Sequence, residues 1–113
     1  IPVDSDFVFD VRCLPNPYWN KALRPFNGND KEIIEYLGED EDVVAMVDGI
    51  INYLTIWLPK FKQTNRSYTT ISIGCTGGQH RSVFVANALH QHFKQQMDII
   101  QIRHRELRKK NNA

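Results

Sequence analysis

The chain reads as a small α/β domain, three-layer-like in outline, with a mostly parallel sheet and flanking helices. Two observations carry this reading. Short β-type runs alternate with longer helical stretches in the order strand, helices, strand, helix, strand, and the second strand passes through glycines straight into a helix. A length of 113 residues suits one domain over 1–113. The hydrophobic fraction of 42% and charged fraction of 24% are those of an ordinary globular protein. No uninterrupted apolar run approaches a membrane span and nothing resembles a secretory signal, so a cytoplasmic protein without membrane contact is expected. Cys13 and Cys75 lie far apart without a C-x-x-C or Cys/His pairing, which favours free thiols over a disulfide.

The first strand is "FVFDVR", Phe7–Arg12, where Phe7, Phe9 and Val11 alternate with Val8, Asp10 and Arg12. The residues before it, from Ile1, read as a linker into that strand, and a first residue other than Met suggests one domain of a longer protein. The prolines of "LPNPYW" then turn the chain. Asp30 is an N-cap for a short helix through Leu37. A longer helix begins in the acidic run Glu39–Asp42, where carboxylates favour the positive end of its dipole. Its apolar stripe is Val43, Val47, Ile50, Leu54 and Trp57, and Pro59 predicts its end. The second strand spans Tyr68–Gly74. A third helix is predicted from Ser82 or the residue just before it to about Gln96, buried along Val83, Ala86, Leu89 or His90, Phe93 and Met97. "DIIQIRH" closes as a third strand.

The turn from the second strand into the third helix carries the chemistry. "IGCTGGQHRSV" places Cys75, Thr76, Gly77, Gly78, His80, Arg81 and Ser82 where a helix start offers unpaired N–H groups and a positive dipole end. Two glycines let the backbone approach a ligand closely. Thr76 and Ser82 supply hydroxyls, His80 a ring donor, and Arg81 a planar fork for phosphate oxygens. The turn is neither a Walker A loop nor a dinucleotide fingerprint. Together these residues predict an anion site.

Cys75 to Arg81 also spells C-x5-R, the spacing of cysteine-dependent phosphatases. That alternative needs a low thiolate pKa and an acid for the leaving group. Asp10, Asp42 and Asp48 are the nearest candidates by position, and none follows a strand in an evident loop. Gly74 stands where the phosphatase pattern has His. A binding loop without catalysis is therefore expected.

Several blocks now point one way. "FVFDVRCLPNPYW", "LRPFNG", "WLP", "NRSYTTISIGCTGGQHRSV" and "RHRELRKK" occur in an order that resembles the C-terminal domain of the RapZ/YvcJ family of bacterial RNase adaptor proteins. The resemblance covers nearly the entire chain. It implies a domain that binds a regulatory small RNA and senses glucosamine-6-phosphate. It would present the RNA to RNase E when the sugar phosphate is scarce, and so control glucosamine-6-phosphate synthase. It further implies contact with a two-component system and assembly as a dimer or tetramer. An N-terminal P-loop domain would hold ATP or GTP, leaving this domain without a cofactor. Carried over by motif, the sugar-phosphate site falls on Thr76, Gly77, Gly78, His80, Arg81 and Ser82. Tyr18 contributes from the "PNPYW" turn, where relatives often carry His; a phenol can still bond a sugar hydroxyl without becoming cationic. Gln79 replaces a common Lys.

The end of the chain is basic. Arg103, Arg105, Arg108, Lys109 and Lys110 against Glu106 give residues 103–113 a net +4, leaving −3 for the rest of a +1 chain. Such a tail is either a solvated terminus or an RNA-backbone contact, and the resemblance favours RNA. Without aromatic residues it would read RNA shape and not sequence. His90 and His92 lie two apart on a helix and make a poor metal pair, so no metal is expected. Trp19 and Trp57 are expected to pack. Arg12 and Arg24 are ambiguous: Arg12 ends a strand near the ligand edge, and Arg24 is either a ligand contact or only a brace for its loop. A module that only oligomerises remains a third class.

Overall fold

A computed structural model of the protein describes residues 5–62, 68–75, 80–96 and 99–106. Three strands, β1 (Phe7–Asp10), β2 (Thr69–Cys75) and β3 (Ile100–Glu106), form one sheet in the order β1-β2-β3. Both pairings are parallel, with Phe7 beside Ile71 and Ile71 beside Ile102. Three helices, α1 (Lys31–Gly38), α2 (Glu41–Lys62) and α3 (Arg81–His92), make the crossovers, α1 and α2 between β1 and β2 and α3 between β2 and β3. The α/β class with a parallel sheet is thus realised among the described residues.

Strand alternation explains where the core sits. Phe7 and Phe9, Ile71 and Ile73, and Ile100 and Ile102 share one face by register. The helices' buried side chains collect there: Val43, Ile50, Leu54 and Leu58 from α2, and Val85, Ala86 and Leu89 from α3. Ile33 and Leu37 of α1, four residues apart, join the same cluster. The other face carries Val8, Thr70, Ser72 and Gln101, and there Ser5 Oγ lies 2.6 Å from Ser72 Oγ.

The boundaries depart from expectation for local reasons. β1 stops at Asp10, because the Asp10 carboxylate takes the backbone N–H of Arg12 and turns the chain out of the sheet. Asp30 precedes α1, but its carboxylate accepts from the Asn27 N–H and not from its own helix. Asp40 caps α2 instead, accepting from the N–H groups of Asp42 and Val43.

Pro59 does not end α2, which continues to Lys62. Leu58, not Trp57, continues the stripe, since position 58 falls one turn beyond Leu54. Trp57 stays 43% exposed against Tyr53. Apolar residues consequently surround much of α2. Residues 41–61 reach the length and mean hydropathy, 1.2, of a membrane-crossing helix, which the absence of an unbroken apolar run had not suggested. One side of it nevertheless packs in the core, and its first turn is acidic.

α3 begins at Arg81, within the predicted start, and ends at His92, ahead of a separate 3-10 turn at Lys94–Gln96. Val83, Ala86, Leu89 and Phe93 are buried as expected, and His90 faces solvent. Met97 lies outside the described residues. β3 is shifted two residues towards the C-terminus of the predicted strand. Arg103 and Arg105 therefore lie within the sheet, beside Ser72 and Gly74, and not in a tail.

Candidate functional site at the carboxyl edge of the sheet

All three strands end at the same edge, where Asp10 registers with Gly74 and Cys75 with Glu106. In open parallel sheets this edge is where ligands bind. Here β2 delivers the chain to the start of α3. Thr76, Gly77, Gly78 and Gln79 lie outside the described residues, as do Arg108, Lys109 and Lys110, so the site is built from what flanks them.

Arg81 opens α3, yet it is only 4% exposed. Its Nη1 donates to the carbonyls of Arg12 at 2.7 Å and Leu14 at 3.2 Å. The guanidinium thereby ties the segment leaving β1 to the helix that follows β2. A buried cation on two carbonyls is costly to leave half-satisfied, so the contact fixes both partners.

His80 does the same at the segment's far end. Its Nε2 lies 2.6 Å from the Phe26 carbonyl, which can only accept, so Nε2 carries the proton. Burial lowers the pKa of the ring, the hydrogen bond to Phe26 opposes that, and the Arg81 charge adds to the lowering. Gly28 completes the anchor. A Cβ there would sit 2.6 Å from Val83 Cβ and 2.7 Å from the His80 carbonyl oxygen, so only glycine permits this approach.

Ser82 and Cys75 face each other in the core. The thiol donates to Ser82 Oγ at 3.2 Å, and Cys75 Sγ lies 3.4 Å from the Ser82 backbone N–H. Cys75 is 1% exposed and belongs to the hydrophobic cluster. Of the carboxylates considered as acids, Asp10 is gripped by Arg12, whose Nη2 donates at 2.7 Å and whose Nε donates at 3.0 Å. That hydrogen bonding holds the Asp10 carboxyl below the usual range. Asp42 and Asp48 are on α2.

Between the two anchors the chain rises into a loop. Pro17, buried, starts a 3-10 turn through Trp19, and the Asn16 side chain accepts from the Tyr18 N–H. Tyr18 and Trp19 are exposed, the latter at 76%. Arg24 braces the loop, donating from Nε to the Tyr18 carbonyl at 2.7 Å, with its guanidinium 4.6 Å from the Tyr18 ring centroid. Trp19 was expected to pack and does not, because the buried Pro17 turns it outward. Among the described residues, no three His, Cys, Asp or Glu side chains converge as a metal site.

The residue types at the helix start were legible in the sequence. Their partners were not: the carbonyls of Arg12, Leu14 and Phe26 come from a loop more than fifty residues away in the chain. Gly28, in "NGND", was the one available signal of close approach.

Residues 1–108 match the family described as the RapZ C-terminal domain. A nucleotide-binding protein of Hahella chejuensis is 56% identical over 107 residues, which is 95% of this chain and 37% of that protein. One from Azotobacter vinelandii is 54% identical over 95% of this chain and 38% of its own length. The chain thus spans less than two-fifths of these relatives.

Proposed function

Because the chain belongs to the RapZ C-terminal domain family, we propose that it is an RNase adaptor domain. It binds a regulatory small RNA, presents it to RNase E, and senses glucosamine-6-phosphate at the carboxyl edge of its sheet. The observation that carries this reading is the family match over residues 1–108, which crosses the strand-to-helix turn and the first cations of the basic end, through Arg108. The relatives are named nucleotide-binding proteins and this chain spans less than two-fifths of them; in this reading the nucleotide sits in their remaining part and this domain works without a cofactor. It acts in the cytoplasm as a homo-oligomer and engages a two-component system when the sugar phosphate is abundant.

Within the sugar-phosphate site, Thr76, Gly77 and Gly78 present backbone and hydroxyl donors to the phosphate. Arg81, His80 and Ser82 act chiefly by holding the start of α3 in place, since their described bonds run to protein groups. Arg81 adds positive charge behind the turn. Tyr18 offers a phenol to the sugar. The domain is a binder and not an enzyme: a thiol buried in the core and donating to Ser82 is a poor phosphatase nucleophile. RNA phosphates are met by Arg103, Arg105, Arg108, Lys109 and Lys110, and repetition of these cations in an oligomer raises avidity.

Calorimetry with glucosamine-6-phosphate, glucosamine and inorganic phosphate tests the sensor. Binding of the first, weakened in Tyr18→Phe, is expected; no heat with glucosamine-6-phosphate would defeat it. For RNA, Lys109→Ala with Lys110→Ala is expected to reduce the slope of log affinity against log salt by about 1 to 2. An unchanged slope removes the tail from the interface.

A further inference from the structure

Trp19 is the most exposed of the large hydrophobic side chains described, and the sugar-phosphate reading gives it no task. It is also rigidly held. Its backbone N–H donates to Asn16 O, the Asn20 N–H donates to Pro17 O, and Pro17 anchors the turn in the interior. The Tyr18 ring meets the indole edge-on, with centroids 6.1 Å apart and planes at 77°. Tyr18 in turn lies under Arg24. The indole is thus presented to solvent on a fixed support, so little conformational freedom is lost when a flat ligand stacks on it.

The surroundings say which flat ligand. Between Asp10 and Asp30 the chain carries Arg12, Lys21 and Arg24 and no acidic residue. Lys21 and Arg24 lie within five residues of Trp19 in the chain, and the Arg24 guanidinium sits over the neighbouring Tyr18 ring. Exposed aromatic rings interleaved with cations, on a segment free of carboxylates, match the needs of a single-stranded polynucleotide, with π-faces for its bases and positive charge for its phosphates.

We propose that Trp19, flanked by Lys21 and Arg24, is a base-stacking platform for single-stranded RNA. It rests on the RNA-binding reading above and deepens it. The basic end of the chain meets RNA phosphates in any context, whereas Trp19 accepts only a base that is free to unstack.

The test uses the fluorescence of Trp19 in a Trp57→Phe background, where it is the sole indole, titrated with an oligouridylate and with the duplex it forms with oligoadenylate. Saturable quenching by the single strand is expected. Trp19→Ala is expected to weaken single-strand affinity about 5- to 100-fold and to leave duplex affinity unchanged, with Trp19→Phe retaining most of it. Wild type and Trp19→Ala binding the single strand equally would overturn the platform while leaving RNA binding by the basic residues standing. Failure of wild type to bind either RNA would overturn both. Unchanged RNA affinity with an altered sedimentation coefficient in Trp19→Ala would reassign the surface to a protein contact, against the proposal.

Discussion

The loop between β1 and α1 has two ends of opposite character. Its base is tied down: Arg81 holds the carbonyls of Arg12 and Leu14, His80 holds that of Phe26, and Gly28 presses against Val83. Its tip, Tyr18 and Trp19, stands in water on a short 3-10 turn. The difference shows how a small domain carries an exposed aromatic surface without losing order. Polar side chains that look suited to a ligand are spent on backbone carbonyls at the base, and that rigidity is passed to the tip.

Breaking the base should produce the largest effects. Arg81→Met keeps much of the aliphatic stem but strands the buried Leu14 carbonyl and the partly buried Arg12 carbonyl, so a loss of about 2–5 kcal/mol is expected in urea unfolding. Gly28→Ala follows, at about 1–3 kcal/mol, because the added methyl meets the His80 backbone and not merely a movable side chain. A loss below about 0.5 kcal/mol in either would mean that the loop is not clamped.

His80 sharpens the comparison through pH. Its folded pKa lies below the ordinary 6.5, chiefly because burial disfavours the charged ring. The unfolded chain therefore binds the proton more readily as pH falls through this window. The stabilisation is fully present above pH 6.5 and declines below it, until the pH passes beneath the lowered pKa of the folded state. His80→Gln, which keeps a donor for Phe26 but cannot titrate, should flatten that decline in denaturation midpoints measured between pH 5 and 7. An equal slope in both proteins would place the titrating group elsewhere.

The tip should give the smallest change. Trp19→Ala removes a ring with few internal contacts, and its effect on stability should stay within about 0.5 kcal/mol. A larger loss would mean that the ring braces the loop, and would erase the contrast between base and tip.

Sequence patterns were most reliable where a local rule governs. The alternation in the first strand, the short helix after Asp30 and the passage from the second strand into a helix were each readable, and β1, α1, β2 and α3 are present. Pro59 misled because a helix already held by Leu54 and Leu58 can tolerate one missing N–H near its end. Trp57 misled because positions three and four beyond Leu54 are both plausible on a helical wheel, and only packing chooses between them. The reach of the third strand was missed because pairing with Gly74 and Cys75 extends it through Arg105 and Glu106.

What the sequence determined by itself is the α/β order, the family, and the collection of anion-suited residues at the start of α3. These follow from periodicity, turn chemistry and motif, all of which act over a few neighbours. The tertiary structure alone decided what those residues hold. Whether Arg81 meets a free anion or the carbonyls of Arg12 and Leu14 depends on a segment almost seventy positions away, brought alongside by the parallel pairing of β1 with β2. The same arrangement decided that Trp19 faces water, since a tryptophan's burial is a property of what packs over it and no local pattern encodes that.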